Sequence, residues 1–331
     1  MSKACIILKE SRVFDYPNIF KRALSEANIE AEIVRLPFFS VYDLVPRKLQ
    51  QIKKTIKRRK NAGQFVLFFA GTEEIFLKDP DCSFVCSHYK SLHGRKVEVI
   101  PHVWSHIRTP NSITPFKWTD KPAFRIGFMG NAYSDSRGAK LASKLPRSVK
   151  RLLVRGRYLK YGGSLARLNQ FGLTMTHINA FPRLETLQQL HIKKDVVEEG
   201  SIEIVDTQHF ALSEQDKARY IGHLESMTYV ICPRGIENFS FRVYEALKYG
   251  RIPVIIDTEM VLPPEIDWDR VAIRVPYDRL NDIYDIILND YYSRSAHEFI
   301  ARQQAAFSTM AELESMRWLA SRLREVLPTA A

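Results

Sequence analysis

The segment from Tyr229 to Ile256, YVICPRGIENFSFRVYEALKYGRIPVII, constrains the fold of this 331-residue chain more than any other part. Its first four residues, Tyr229–Cys232, form a short apolar run, as in a buried parallel strand, and Ile252–Ile256 form a second such run. Between them, Ser240 is suited to begin a helix and Gly250 to end it in the left-handed conformation. The pattern predicts a strand–helix–strand unit of a parallel α/β sheet.

The polar residues of this segment suit a nucleotide diphosphate. In parallel sheets, ligands bind at the carboxyl ends of the strands, where a helix N-terminus offers free N–H groups and a positive dipole end. Arg242 can bind a diphosphate with two parallel hydrogen bonds, and Glu245, three residues further on the same helix face, can accept both hydroxyls of a ribose. An exposed Arg–Glu pair worth well under about 1 kcal/mol is the alternative, and the spacing alone does not separate the two.

The same segment resembles the C-terminal signature of the exostosin family of glycosyltransferases. The matching stretches are CPRG, SFRVYEAL, GRIPVII, LPPEIDW and VAIRV, at residues 232–235, 240–247, 250–256, 262–268 and 271–275. A second block at 124–145, FRIGFMGNAYSDSRGAKLASKL, resembles the family's strand, glycine turn and Ser-Asp-x-Arg segment. The resemblance extends over about residues 122–305, and the first 120 residues match only loosely.

The resemblance implies the GT-B fold, an α/β class in which two Rossmann-like domains with parallel sheets face each other across a cleft. Alternating strand and helix patterns in the N-terminal third agree with a parallel sheet. Three prolines between Thr109 and Pro122 indicate a linker. We therefore expect an N-terminal acceptor domain at 1–120, a C-terminal nucleotide-sugar-binding domain at 121–305, and a terminal helix at 306–331 that packs back on the N-terminal domain.

Individual elements follow from hydrophobic periodicity and capping residues. Ser213 and Asp216 form a plausible capping pair for a helix over 213–226. The stretch 156–205 shows no clear periodicity and is interpreted as irregular, with short helices and an insertion. The other expected elements are strands at 5–8, 31–36, 65–70, 97–100 and 125–129, and helices at 18–27, 47–60, 278–289, 292–306 and 310–327.

Through the resemblance, the expected function is that of an inverting glycosyltransferase, which moves a sugar from a UDP-sugar to a hydroxyl of a glycan or lipid-linked glycan acceptor. Surface or capsular polysaccharide synthesis is the expected role, and the donor sugar is not indicated. Uracil as the base also follows from the resemblance alone. The alternative is a catalytically silent nucleotide-sugar- or glycan-binding protein on the same scaffold. The residues expected to bind the donor are Gly130, Asn131, Arg137, Arg234, Ser240, Arg242 and Glu245.

No cofactor other than the UDP-sugar donor substrate is expected, and no metal. Two stretches, Asp79–Asp81 and Asp267–Asp269, formally match the Asp-x-Asp pattern of metal-dependent transferases. Such three-residue matches often arise by chance, and GT-B enzymes generally work without a catalytic metal. Cationic side chains and a helix dipole can neutralise the leaving diphosphate instead.

Inversion needs one general base with in-line attack by the acceptor hydroxyl. The base is expected on a loop that follows a strand of the N-terminal domain. Glu73 and Glu74 are the first candidates because they follow a Gly-Thr turn directly after the apolar run FVLFFA. Asp15 and His102 are the further candidates. Glu73 and Glu74, each taken alone, are better explained as solvated loop carboxylates, and the sequence does not decide among the four.

The net charge of +12 is concentrated in two stretches, Arg47–Lys60 and Arg147–Lys160. The first, RKLQQIKKTIKRRK, carries Leu49, Ile52 and Ile56 at helical spacing, a pattern that suits peripheral contact with an anionic membrane. A solvated helix that packs on the protein through these three residues is the alternative. Basic patches also suit nucleic acid, but no nucleic-acid motif or aromatic platform accompanies them, so none is expected as a partner.

The remaining features of the sequence indicate a cytoplasmic protein, peripheral at the membrane. No window approaches the roughly 18 uncharged apolar residues of a membrane span. The apolar run Ala4–Leu8 is too short for the core of a signal peptide and is interpreted as a first strand. Four cysteines agree with a reducing compartment. Cys82 and Cys86 have no second pair at zinc-site spacing, so buried thiols are expected.

Overall fold

The chain forms two compact units in a computed structural model. The first unit contains Met1–Trp104, Glu259–Ile266 and Ala311–Ala331, and the second contains Ser105–Thr258 and Asp267–Met310. The residues that the structure describes are 4–11, 14–37, 46–69, 71, 77, 79–88, 90, 96–103, 121–132, 144–146, 148–149, 181–194, 196–197, 201–207, 213–235 and 237–328.

Strands and helices alternate along most of the chain, which is the order expected of parallel α/β sheets. The elements are β1 (Ala4–Lys9), α1 (Tyr16–Ala27), β2 (Ala31–Leu36), α2 (Pro46–Asn61), β3 (Phe65–Phe69), β4 (Cys82–Val85), β5 (Val97–Val99), β6 (Ile126–Gly130), α3 (Phe181–Lys194), β7 (Ile202–Asp206), α4 (Glu214–Ser226), β8 (Tyr229–Cys232), α5 (Phe241–Lys248), β9 (Ile252–Asp257), α6 (Trp268–Val271), β10 (Ile273–Pro276), a 3₁₀ helix (Tyr277–Asp282), α7 (Ile283–Ser293), α8 (Ala296–Glu314) and α9 (Arg317–Val326).

The first unit is built on a parallel sheet of five strands in the order β2-β1-β3-β4-β5. Strand β1 is buried along its whole length, as expected for a central strand. On the sheet, Ile52 and Ile56 of α2 join a core cluster with residues of β1 and β3. Helix α9 packs against α1. There, Arg324 donates to the carbonyl oxygens of Glu26 and Ala27 and so satisfies the C-terminal end of α1.

The second unit repeats this topology with a parallel sheet in the order β10-β9-β8-β6-β7. Counted along the chain, both sheets place their first strand between the second and the third. Ligands in such sheets bind where the strand order reverses, which here is between β1 and β3 and between β6 and β8. The predicted α/β class with two Rossmann-like parallel sheets is confirmed.

Local capping explains where several helices begin and end. Ser213 accepts a hydrogen bond from the Asp216 backbone N–H at 3.0 Å, which confirms the predicted capping pair of α4. Gly250, with a φ of +62°, follows α5 and donates to the carbonyl of Leu247 at 3.0 Å. This confirms the left-handed residue predicted there. A Cβ at Gly250 would lie 2.6 Å from Gln303 in α8, so close packing also requires glycine.

The structure corrects the sequence prediction at four places. The stretch interpreted as irregular contains α3 and β7, and the residues after Asp81, for which no element was predicted, form the buried strand β4. The stretch VAIRV at 271–275, which reads as one strand in the sequence, is divided between α6, which extends to Val271, and β10, which begins at Ile273. The helix predicted to end near residue 306 continues to Glu314, and the chain turns only at Met316, whose φ is +62°.

All four cysteines are buried and free. Burial raises the pKa of the Cys5 thiol to about 11 and that of Cys82 to about 12, so both are protonated and unreactive at neutral pH. The prediction of buried thiols is confirmed. Among the helices of the described ranges, none combines the length and the apolar character needed to cross a bilayer.

Candidate functional site

Arg242 lies against the turn that follows β6. Its Nη2 donates to the carbonyl oxygen of Met129 at 3.0 Å, and its guanidinium carbon lies 4.5 Å from the ring centre of Phe128. Gly130 has a φ of +154°, and a Cβ there would lie 2.2 Å from Nη2 of Arg242. The glycine is therefore required for the arginine to reach this end of the sheet. Gly130 and Arg242, two residues predicted to bind the donor, are 112 positions apart in the sequence and come into contact at this turn.

Arg234 follows β8 and is almost completely buried, with 1% of its surface exposed. Long charged side chains are seldom buried to this degree unless they are paired. The loop that carries it is closed by a hydrogen bond from the Gly235 N–H to the carbonyl of Phe239 at 3.0 Å. Asn238 and Thr258 bond to each other and tie this loop to the end of β9. The loop therefore holds Arg234 next to the reversal point between β6 and β8.

Helix α5 begins at this same edge of the sheet. Ser240 is its N-cap residue, with extended backbone angles, but its hydroxyl makes no capping hydrogen bond. Its carbonyl accepts from the Val243 N–H at 3.2 Å. The hydroxyl therefore does not occupy the N–H groups of the first turn, and a helix N-terminus is a suitable place for an anion.

Glu245 lies one turn further along α5 and contacts α4. Its Oε2 accepts a hydrogen bond from the Tyr220 hydroxyl at 2.7 Å. Burial and the neighbouring Glu245 carboxylate raise the pKa of Tyr220 well above its usual value, so the hydroxyl stays protonated and donates. Arg242 and Glu245 are both half-buried and contact different elements. An exposed surface pair, the alternative left open by the sequence, does not describe this arrangement.

Two further residues at this edge were not predicted from the sequence. Arg183 of α3 donates from Nη1 to the carbonyl oxygen of Asn131 at 2.7 Å. Asp206, the last residue of β7, accepts from the Ala132 N–H at 2.9 Å and so fixes the turn after β6. A polar residue at the carboxyl end of a strand indicates a site residue, but the sequence did not predict β7, so Asp206 was missed. Arg183 lies in a helix that was not recognised either.

The four candidate general bases belong to the first unit. Glu73 and Glu74 lie outside the described residues, as does Arg137 of the predicted donor site. Asp15 is the N-cap residue of α1 and accepts from the Asn18 N–H at 3.3 Å. His102 is completely buried, and its Nε2 lies 3.2 Å from the Tyr16 hydroxyl. Both described candidates thus have clear structural roles.

The two acidic stretches have different surroundings. Asp81 accepts from the Val66 N–H at 2.9 Å and pairs with Lys60 at 2.7 Å, so it joins β3, β4 and α2. Asp267 and Asp269 are exposed at the start of α6. Within the ranges that the structure describes, no group of three or more His, Cys, Asp or Glu side chains is arranged to hold a metal ion.

Helix α2 turns its apolar side towards the sheet of the first unit. Ile52 and Ile56 are buried in the core cluster there, so these side chains cannot enter a bilayer. Arg59 pairs with Glu32 of β2 at 2.6 Å. The exposed basic residues of the helix, called the α2 basic face below, are Lys53, Lys54, Lys57 and Arg58. Most of the second basic stretch, Arg147–Lys160, lies outside the described residues.

Comparison with known proteins places a family domain over this site. Residues 183–289 match the family model of the exostosin GT47 domain. The match covers 107 of the 331 residues of the chain. The exostosin domain includes β8, α5 and β9, and with them the predicted residues Arg234, Ser240, Arg242 and Glu245. The turn after β6 lies before the matched range, yet it contacts Arg242 directly.

Two curated relatives are similar to part of the chain. Exostosin-1 from Drosophila melanogaster is 40% identical over 76 residues, which is 22% of this chain and 10% of the relative. A protein named "Probable glucuronosyltransferase GUT1" from Oryza sativa subsp. japonica is 30% identical over 109 residues, or 32% of this chain and 25% of the relative. The matched stretches thus span a quarter or less of the length of these relatives.

Solved structures with similar folds are distant in sequence. A glycosyltransferase from Rickettsia africae ESF-5 covers 100% of both chains at 12% identity, with a TM-score of 0.41. The lipopolysaccharide outer core galactosyltransferase WaaB covers 97% of this chain and 99% of its own at 12% identity, with a TM-score of 0.45. HepE from Anabaena in complex with UDP covers 98% and 100% at 9% identity, with a TM-score of 0.42. Similarity at this level carries no information on what the chain binds.

Proposed function

We propose that this chain is a glycosyltransferase that binds a UDP-sugar at the carboxyl edge of the second sheet and transfers the sugar, with inversion, to a hydroxyl of a glycan acceptor. One observation carries the proposal. At the reversal point between β6 and β8, Arg242 in the first turn of α5 reaches the glycine turn at Gly130, the buried Arg234 follows β8, and both arginines lie in the matched exostosin range.

The diphosphate is the group that this site suits best. Departure of a nucleotide diphosphate develops negative charge, and prearranged cations and N–H groups stabilise that charge in a site shielded from water. The hydrogen bond from Arg242 goes to a backbone carbonyl, which has no net charge, so this bond does not neutralise the guanidinium. We propose that these groups take the place of a metal ion, and that no cofactor other than the donor substrate is used.

The ribose is assigned to Glu245. A carboxylate is an acceptor only, and its two oxygens together have room for the bond from Tyr220 and for ribose hydroxyls. Uracil as the base is proposed from the exostosin resemblance. Because one matched relative is named a glucuronosyltransferase, UDP-glucuronic acid is the first donor to test, followed by UDP-galactose and UDP-xylose.

The base that activates the acceptor is assigned first to Glu73 or Glu74. Asp15 caps α1, and His102 is completely buried against Tyr16, so both of these residues already support the structure. We propose a glycan or a lipid-linked glycan as the acceptor, in surface or capsular polysaccharide synthesis. We propose that the enzyme is cytoplasmic and that the α2 basic face holds it at an anionic membrane. Charge alone would do this, because the apolar side of helix α2 is buried.

A test of this function measures UDP release from the three donors with and without oligosaccharide acceptors. Release that depends on the acceptor, and that is lost in the Glu245→Ala variant, supports the proposal. The alternative is a catalytically silent nucleotide-sugar-binding protein, which is favoured by the structural roles of Asp15 and His102. UDP binding without turnover of any donor would select this alternative. Absence of UDP binding would overturn both.

A further inference from the structure

Arg183 is a buried cation at the reversal point of the second sheet, and the donor site proposed above does not use it. It is the third residue of α3, and 8% of its surface is exposed. Nη1 bonds to the carbonyl oxygen of Asn131 at 2.7 Å. On the other side, a Cβ at Gly235 would lie 3.4 Å from Nη2. The guanidinium therefore lies between the turn after β6 and the turn after β8.

Arg183 and Arg242 approach the same turn. Arg242 bonds to the carbonyl of Met129, and Arg183 bonds to the carbonyl of Asn131. Since successive Cα atoms are 3.8 Å apart, Cα atoms two residues apart are separated by no more than about 7.6 Å. Two guanidinium groups are thus held by the carbonyls on either side of Gly130 in one short turn, where the Asp206 carboxylate also accepts from the Ala132 N–H. An anion bound at this turn would be attracted by both cations.

We propose that Arg183 is a diphosphate-binding residue, which contacts the phosphates together with Arg242 while Nη1 keeps its bond to Asn131. The inference rests on the proposed function, because it assigns a residue to the same nucleotide diphosphate. A guanidinium has five N–H donors in a planar fork, so the bond to Asn131 uses one of them. The bond fixes the fork at the edge where the phosphates are expected.

The test separates phosphate binding from support of the turn. Binding of UDP, inorganic pyrophosphate and uridine to the wild-type protein and to the Arg183→Gln and Arg183→Lys variants is measured by calorimetry. Glutamine can still donate to the Asn131 carbonyl but has no charge, and lysine keeps the charge without the fork. Arg125→Gln is the matched control, because Arg125 is exposed and precedes β6, at the opposite end of the same strand.

We expect Arg183→Gln to weaken both UDP and pyrophosphate by about 10- to 100-fold, and to leave uridine within about twofold. Arg183→Lys should give a smaller loss for the same two ligands, and Arg125→Gln should match the wild type. Unchanged pyrophosphate affinity, or an equal loss for uridine, would overturn the inference. If Arg183→Gln does not fold, Arg183→Lys decides by the same comparison of pyrophosphate with uridine.

The two proposals can fail separately. A wild-type protein that binds pyrophosphate through Arg183 but does not prefer UDP over pyrophosphate would keep the inference and remove UDP as the nucleotide. If the Arg183→Gln variant binds UDP as tightly as the wild type does, the proposed function stands and the inference is removed. Binding of neither ligand would overturn both.

Discussion

The Tyr220 hydroxyl donates to Oε2 of Glu245 across 2.7 Å and joins helix α4 to helix α5 at the proposed donor site. Because burial keeps this hydroxyl protonated, the carboxylate has a fixed donor on one side. The bond sets the orientation of Glu245, and the orientation decides whether the carboxylate can reach a ribose. The pair therefore links the packing of the second unit to nucleotide recognition.

The first prediction concerns this pair. Glu245→Ala should weaken UDP binding by about 1 to 3 kcal/mol, since the ribose hydroxyls would lose a charged acceptor. Tyr220→Phe should weaken it by about 0.5 to 1.5 kcal/mol, since the acceptor remains but is no longer fixed. Both losses should be smaller with 2′-deoxy-UDP, and the double variant should be less than additive. Calorimetry gives all of these values.

Tyr292→Phe is the control for this prediction, because it removes the same hydroxyl from an exposed side chain. Circular dichroism should show an unchanged fold in each variant. Equal losses for UDP and 2′-deoxy-UDP would mean that Glu245 does not contact the 2′-hydroxyl. An intact Glu245→Ala protein with wild-type UDP affinity would show that α5 does not face the nucleotide.

The second prediction concerns Gly130. In Gly130→Ala, the new Cβ would occupy the space of the Arg242 guanidinium, at 2.2 Å from Nη2 in the present structure, and the φ of +154° would strain the backbone. We expect about 1 to 3 kcal/mol of destabilisation and at least about a tenfold loss of UDP affinity. Chemical denaturation and calorimetry measure the two effects. Gly222→Ala is the control, because a Cβ there meets nothing within 4 Å.

How far the sequence predicts this site depends on the range of the contacts. The strand–helix–strand unit of β8, α5 and β9 follows from local signals, namely two apolar runs and Gly250. Strand β7 lies at the edge of its sheet and is only partly buried, so it lacks the continuous apolar run of a central strand. Arg183 and Asn131 are 52 positions apart, and their contact has no local signature.

The third prediction separates stability from binding. Gly250→Ala should destabilise the protein by about 1 to 3 kcal/mol, because alanine is strained at a φ of +62° and its Cβ would clash with Gln303 and Phe307 at 2.6 Å. UDP affinity measured well below the melting temperature should stay within about twofold. A loss of affinity as large as that of Gly130→Ala would indicate that the end of α5 contributes to the site.

The fourth prediction concerns metal ions. UDP should raise the melting temperature in the presence of EDTA, because arginine side chains and the α5 N-terminus supply the positive charge. A hundredfold excess of UDP over its Kd should stabilise the protein by about 2.7 kcal/mol. Differential scanning fluorimetry with EDTA, Mg²⁺ and Mn²⁺ provides the comparison. A shift that requires the divalent ion would contradict metal-independent donor binding.

The last prediction concerns the α2 basic face. Replacing Lys53, Lys54, Lys57 and Arg58 with glutamine should abolish binding to anionic phosphatidylserine vesicles, since each basic residue near such a surface contributes about 1 kcal/mol. Wild-type binding should weaken steeply with salt, because Ile52 and Ile56 are buried and add no apolar insertion. UDP affinity should not change, since the helix and the donor site belong to different units. Vesicle sedimentation and calorimetry measure the two effects.

A second quadruple variant controls for net charge, with glutamine at the exposed residues Lys21, Arg22, Arg125 and Arg270. It lowers the charge by the same four units but leaves the α2 basic face intact. If vesicle binding depends on the face, this variant should sediment like the wild type, whereas equal loss in both variants would indicate attraction by overall charge. Wild-type protein that does not bind anionic vesicles at physiological salt would make α2 an ordinary solvated helix, which packs on the sheet through Ile52 and Ile56.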